Sequence, residues 1–202
     1  MSISTTINAI GADQWDACCI PGSALIAGHY DFDSIGGLLA DNSWQRGLLY
    51  FSLATITPGA LFSSASIKVY HNSSAAATNT HNFEFYRVTS EWNSFYVSNT
   101  QRDAGPTNWS SAGGDYTDLC SALGIASDEG AGWKTWAFTA SGKTILKNMN
   151  DGVYNNYGFL LKSSTEDDNC LHTWDDANDT YKPYLSVTYT LPSVAQMSTV
   201  FF

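Results

Sequence analysis

Positive charge is scarce in this sequence: 9 Lys and Arg stand against 19 Asp and Glu, a formal net charge of −10. A field of that sign repels a phosphate backbone, so nucleic acid is excluded as an expected partner. Charged residues of both signs amount to only 14%. The surface must then be made polar mainly by Ser, Thr and Asn, as in extracellular and coat β-proteins. Long apolar runs are missing as well. No stretch reaches the roughly 18 consecutive apolar residues of a membrane helix, and no membrane partner is expected. The opening Met1-Ser2-Ile3-Ser4-Thr5-Thr6 has neither the basic region nor the apolar run of a signal peptide. Either a leader has been removed or the protein leaves its cell by assembly into a particle, and the second needs fewer assumptions.

Cysteine is sparse and unclustered. Cys18, Cys19, Cys120 and Cys170 do not form two close-spaced pairs of metal ligands, which argues against zinc. One long-range disulfide, for instance from Cys120 or Cys170 to one of the adjacent pair, is compatible with the count. Buried free thiols are the main expectation. Catalytic motifs are lacking too. His29, His71, His81 and His172 are scattered, and neither a Gly-x-Ser-x-Gly turn nor a phosphate-cradling Gly loop is present. The expectation is a protein without enzymatic activity.

What the chain does have is apolar and aromatic material in alternation. Hydrophobic residues make up 44% and aromatics 14%, including 7 Trp, 11 Tyr and 10 Phe, in 202 residues, the size of one all-β domain. In Tyr184–Leu191, Leu185, Val187, Tyr189 and Leu191 alternate with Ser186, Thr188 and Thr190, the period of a half-buried strand. Strands are also predicted at Arg46–Leu53, with Leu49, Phe51 and Leu53 on one face, and at Ala65–His71, Asn82–Val88, Trp133–Thr139 and Tyr157–Lys162. Weaker patterns lie at Trp15–Ile20, Gly37–Asp41 and Cys170–Trp174. Separators such as Thr57-Pro58-Gly59 and Ala112-Gly113-Gly114-Asp115 reverse the backbone. Ser141–Asn150 alone reads as helix, with Ile145, Leu146 and Met149 on one side, a small cap across the end of a sandwich. The expected fold is all-β, an antiparallel β-sandwich of jelly-roll type with one short helix. Residues 14–191 form the domain, 1–13 an N-terminal extension and 192–202 a C-terminal tail.

Several segments together resemble a known family. Arg46-Gly-Leu-Leu-Tyr-Phe-Ser-Leu53, Ile56-Thr-Pro-Gly-Ala60 and Ser64-Ala-Ser-Ile-Lys-Val-Tyr70 look like the opening hairpin of the DNRLRE-type domain. Val88-Thr-Ser-Glu-Trp92 and Thr107-Asn-Trp109 resemble its middle. Trp133-Lys-Thr-Trp-Ala-Phe138 with Asn156-Tyr-Gly-Phe-Leu-Leu-Lys162, and then Lys182-Pro-Tyr-Leu-Ser-Val-Thr-Tyr189, are similar to its later segments and closing strand. The resemblance implies a jelly-roll-like sandwich. Such domains serve as non-catalytic modules of cell-surface proteins and polysaccharide-degrading enzymes, some of them treated as carbohydrate-binding modules, and as structural proteins of phages.

From this follows an expected role as a structural subunit of a virus particle, a capsid decoration or head-surface protein in the virion, with glycan adhesion as an added capacity. The alternative is a carbohydrate-binding or adhesive module, extracellular or at a cell surface. Expected partners are other coat subunits, in a homo-oligomer, and a polysaccharide. Sugar contact needs flat rings with polar rims, which singles out Trp44, Trp92, Tyr96 and Trp109. Crowded oxygen ligands in Asp175-Asp176-Ala177-Asn178-Asp179 suit calcium, through Asp175, Asp176 and Asp179. No cofactor is required, and calcium is the one candidate. The apolar end Val200-Phe201-Phe202 would be costly in water, each side chain by roughly 1.5–3 kcal/mol, and is expected to contact another subunit.

Overall fold

The computed structural model describes residues 2–8, 16–19, 46–73, 80–93, 96–126, 128–165, 173–174 and 181–192. Its strands are β1 (Ser2–Asn8), β2 (Asp16–Cys19), β3 (Arg46–Leu49), β4 (Leu61–Ser73), β5 (His81–Val88), β6 (Tyr116–Ile125), β7 (Gly132–Ala137), β8 (Phe159–Ser163), β9 (Thr173–Trp174) and β10 (Tyr184–Thr190). A helix, α1 (Ala140–Asn150), lies between β7 and β8. The predicted alternation is realised most cleanly in β10, where Leu185, Val187 and Tyr189 are buried and the residues between them are not.

All strand pairs are antiparallel and fall into two sheets, β1-β10-β4-β7 with β9 also on β4, and β2-β3-β8-β5-β6. With β2 and β9 set aside, the remaining strands run first-eighth-third-sixth in one sheet and second-seventh-fourth-fifth in the other. That is the strand order of a jelly roll. Residues 2–8, within the segment read as an extension, supply the first strand of the roll and pair along β10 from Ser2–Thr190 to Asn8–Tyr184.

The sheets face each other across Leu49, Phe51, Ile67, Val69, Phe83, Phe85, Trp136, Phe159, Leu161, Leu185 and Val187, all buried. Trp136 of β7 reaches through this core. Its indole N–H donates to the Phe83 carbonyl at 2.9 Å and its ring meets Phe85 edge-on at 5.3 Å. The polar handle of the largest core side chain is thereby satisfied across the sheets. The strand read as Arg46–Leu53 stops at Leu49, yet Phe51 and Leu53 stay in the same core as the chain turns through Leu53–Ile56.

Helix α1 matches its predicted span within one residue and buries Ile145, Leu146 and Met149 against β6 of one sheet and β4 of the other. The Thr139 hydroxyl caps its start by accepting from the Gly142 N–H at 3.0 Å. Of the weaker predictions, Trp15–Ile20 contains β2, Cys170–Trp174 contains β9, and Gly37–Asp41 lies outside the described residues. Among the described residues, no helix is long and apolar enough to cross a membrane.

Candidate functional site

Sheet β2-β3-β8-β5-β6 is covered on both sides where it matters. Its inner residues face the main core, while Leu48 and Leu160 on its outer side join Val88, Trp92, Val97 and Trp109 in a second buried cluster. The connection from β5 to β6 folds over the sheet to build that cluster. Trp92 is 2% exposed and donates to the Tyr157 carbonyl at 2.7 Å; Trp109 is 6% exposed and donates to the Ser98 carbonyl at 2.9 Å. Two aromatics expected to face sugar are therefore anchors of a loop, their rings buried and their N–H groups bonded to backbone. Tyr96, in the same loop, is 45% exposed. Trp44, the calcium candidates Asp175, Asp176 and Asp179, and the contact residues Val200, Phe201 and Phe202 lie outside the described residues.

A polar groove of about 530 Å³ opens beside this loop, lined by Arg46, Thr89, Ser90, Ser110, Ser111, Asp115 and Tyr116 among others. Asp115 organises it by accepting from the Ser90 hydroxyl at 2.8 Å and from the Ser110 and Ser111 N–H groups at 3.0 Å. Burial alone would raise its pKa, but those hydrogen bonds outweigh it and hold the carboxyl below the usual aspartate range. Arg46 donates to the Gly113 carbonyl at 2.8 Å and lies 5.4 Å from the centre of the Tyr116 ring. An aspartate ionised and committed to its own loop is a poor general base, and the described residues of the lining include neither His nor Cys.

The outer side of the other sheet is different. Alternation turns Lys68 and Tyr70 of β4, Trp133 of β7 and Tyr184 of β10 away from the core, and strand register brings them together. Tyr70 is the direct partner of Trp133, and Lys68 the partner of Tyr184. Tyr181, just before β10, stacks on Tyr70 with centroids 4.0 Å apart and planes 14° apart. Trp133 stands edge-on to both, at 5.6 Å from Tyr70 and 6.2 Å from Tyr181, and lies 5.1 Å from Tyr184. The Lys68 ammonium sits 5.6 Å from the Tyr184 ring centre. Trp133 is 40% exposed and Tyr181 43% exposed, so this cluster meets solvent. Towards the other end of the sheet the same face carries hydroxyls, Ser66, Ser186, Thr6 and the Ser4–Thr188 pair at 3.2 Å.

Four rings, an ammonium and the two hydroxyls beside them, Ser66 and Ser186, can hold a ligand with both apolar faces and polar edges, but they activate no nucleophile. The strand motif around Trp133 does not by itself reveal this cluster, because its aromatic partners come from β4, β10 and the segment before β10. The signal in the sequence was aromatic and basic residues at outward positions, Tyr70, Trp133, Tyr184 and Lys68. Elsewhere, Cys120 is a buried free thiol, its pKa pushed up to about 12 by burial and by the nearby Asp118 charge, which makes it inert. His71 and His81 are buried, bonded through Nδ1 to the Gly130 carbonyl and the Thr165 hydroxyl. No three His, Cys, Asp or Glu side chains gather in a metal-binding group among the described residues. A scan against protein-family models finds no match, and a search of the curated proteins finds none either, so the fold and this aromatic face are what the function must be read from.

Proposed function

We propose that this domain is a non-enzymatic carbohydrate-binding module, and that Tyr70, Trp133, Tyr181 and Tyr184 form its sugar contact. The observation that carries the reading is the joined, solvent-facing cluster on the outer side of β4, β7 and β10. Scattered exposed apolar residues need no explanation, whereas rings gathered on one open face mark a binding surface. Sugars present flat C–H patches ringed by hydroxyls. Rigid aromatic faces bordered by Lys68, Ser66 and Ser186 complement both parts at low entropic cost.

Glycan-array screening of the labelled protein, followed by calorimetry on the ligands it finds, tests this reading. Trp133→Ala and Tyr181→Ala should each weaken binding by about tenfold or more, roughly 1.4 kcal/mol, with the unfolding midpoint nearly unchanged. Trp92→Phe should do the reverse, lowering stability and leaving affinity alone. A flat array and calorimetric titrations without heat would dismiss a glycan as the ligand.

A second reading, as a decoration or head-surface subunit of a virus particle, draws support from the DNRLRE-type resemblance over about residues 14–191 and from the Ser-, Thr- and Asn-rich composition. Adhesion to a glycan is compatible with that location. Imaging of the native assembly tests it: the reading requires subunits in a regular array on a particle, and removing residues 193–202 should release them if Val200, Phe201 and Phe202 make the contact.

A further inference from the structure

An exposed sheet edge invites another strand, and proteins commonly blunt such edges with charge, bulges or proline. Among the described residues five strands have a single paired neighbour, and four of them follow that rule, β9 by being only two residues long. β6 is bulged twice against β5 and carries Asp118 at φ 57°, β7 carries Lys134, and β2 carries Asp16. β1 does not. Ser2-Ile3-Ser4-Thr5-Thr6-Ile7-Asn8 has no charge, no proline and no glycine, and it pairs with β10 in unbroken register. Among the described residues, β1 hydrogen-bonds only to β10, and the backbone groups on its other side have no partner there.

The sequence of this edge is self-complementary. A two-fold axis at Thr5 sets two copies of β1 antiparallel, with Thr5 opposite Thr5, Ile3 opposite Ile7, Ser4 opposite Thr6 and Ser2 opposite Asn8. The inward row becomes Ile, Thr, Ile against Ile, Thr, Ile, extending the core side on which Ile3 and Ile7 already pack. The outward row matches small polar residues with small polar residues. Like meets like at every position, and the alternation of the two strands stays in phase, the condition for continuing a sheet without exposing its apolar side.

We propose that the β1 edge is a homodimer interface, in which two copies join their sheets by antiparallel pairing of residues 2–8 about Thr5. An isologous contact of this kind closes on itself, so it yields a dimer and not a fibre. The proposal stands independently of the ligand of the aromatic face. It also explains why β1, alone among the edge strands longer than two residues, lacks a charged residue.

Light scattering and sedimentation on the full chain provide the test. The wild-type protein at micromolar concentration should weigh twice the single-chain 22.0 kDa. Ser4→Lys with Thr6→Lys places ammonium opposite ammonium across the axis at two exposed positions, and the mass should halve while the circular dichroism spectrum is kept. Ser4→Glu with Thr6→Glu should behave the same way, and an equimolar mixture of the two variants should recover the doubled mass. Amide exchange in residues 2–8 of the wild type should slow as concentration rises, a readout that needs no variant. A single-chain mass at every concentration, a doubled mass in the lysine variant, a mixture that stays monomeric, or exchange independent of concentration would each overturn the pairing.

Discussion

Asp115 illustrates how one side chain fixes a whole connection. Its two carboxylate oxygens take three donors, Ser90 Oγ and the N–H groups of Ser110 and Ser111, tying both ends of the loop that buries Trp92 and Trp109. These bonds favour the charged form, so the folded pKa lies below the ordinary value of 3.8. A depressed carboxylate contributes stability above its unfolded pKa and loses it as pH falls through the folded one. Asp151, held low in the same sense by Lys147 and the Gly59 N–H against the opposing effect of burial, adds to the same acid-side loss. Asp115→Asn should therefore cost about 1–2 kcal/mol at neutral pH. It should also flatten the decline in urea midpoint below pH 3.8 relative to the wild type. Equal pH slopes in the two proteins would show that the charge of Asp115 is not what holds the loop.

Elements were legible from the sequence where one face was fully buried and the register unbroken. β10, with Leu185, Val187 and Tyr189 inward, and α1, with Ile145, Leu146 and Met149 on one side, could be read almost residue for residue. β6 could not, because two bulges and the left-handed Asp118 break its alternation and much of it is an exposed edge. β1 was hidden for another reason: Thr5 interrupts the Ile3–Ile7 row, so the pattern is weak without its partner β10 in view. The aromatic face is a property of register between strands far apart in the chain, which composition does not reveal. Trp92 and Trp109 misled because polar neighbours suggested an open loop that in fact folds onto Leu48 and Leu160. Contact between elements is also tight enough to predict a cost. A Cβ on Gly142 would lie 2.3 Å from the Cys120 carbonyl oxygen, where α1 docks on β6. Gly142→Ala gains about 1 kcal/mol of helix propensity, but neither backbone can yield locally, and overpacking of this kind costs about 1–3 kcal/mol. The clash should win, giving a net loss measurable by chemical unfolding, whereas an unchanged or raised midpoint would mean that α1 shifts freely on β6.

At the scale of the whole molecule, the jelly roll leaves one broad face without a cover among the described residues. The β5–β6 connection occupies the outside of one sheet, and the outside of the other carries the aromatic cluster at one end and hydroxyls along the rest. Pairing through β1 about an axis normal to the sheet keeps that face on the same side in both copies. It doubles the four-strand path β1-β10-β4-β7 into one continuous sheet with two aromatic clusters. Two sites held rigidly on a common face bind a polymer with an effective concentration that free copies lack, and such linkage raises apparent affinity by about 10²–10⁴-fold without any new contact. The dimer should therefore hold a long polysaccharide far more tightly than a short oligosaccharide of the same repeat. Ser4→Lys with Thr6→Lys should leave oligosaccharide affinity unchanged in calorimetry and weaken polymer binding by about 100-fold in a surface-retention assay. Loss of both would mean that the substitutions disturb the ring cluster itself, and loss of neither would uncouple dimerisation from adhesion.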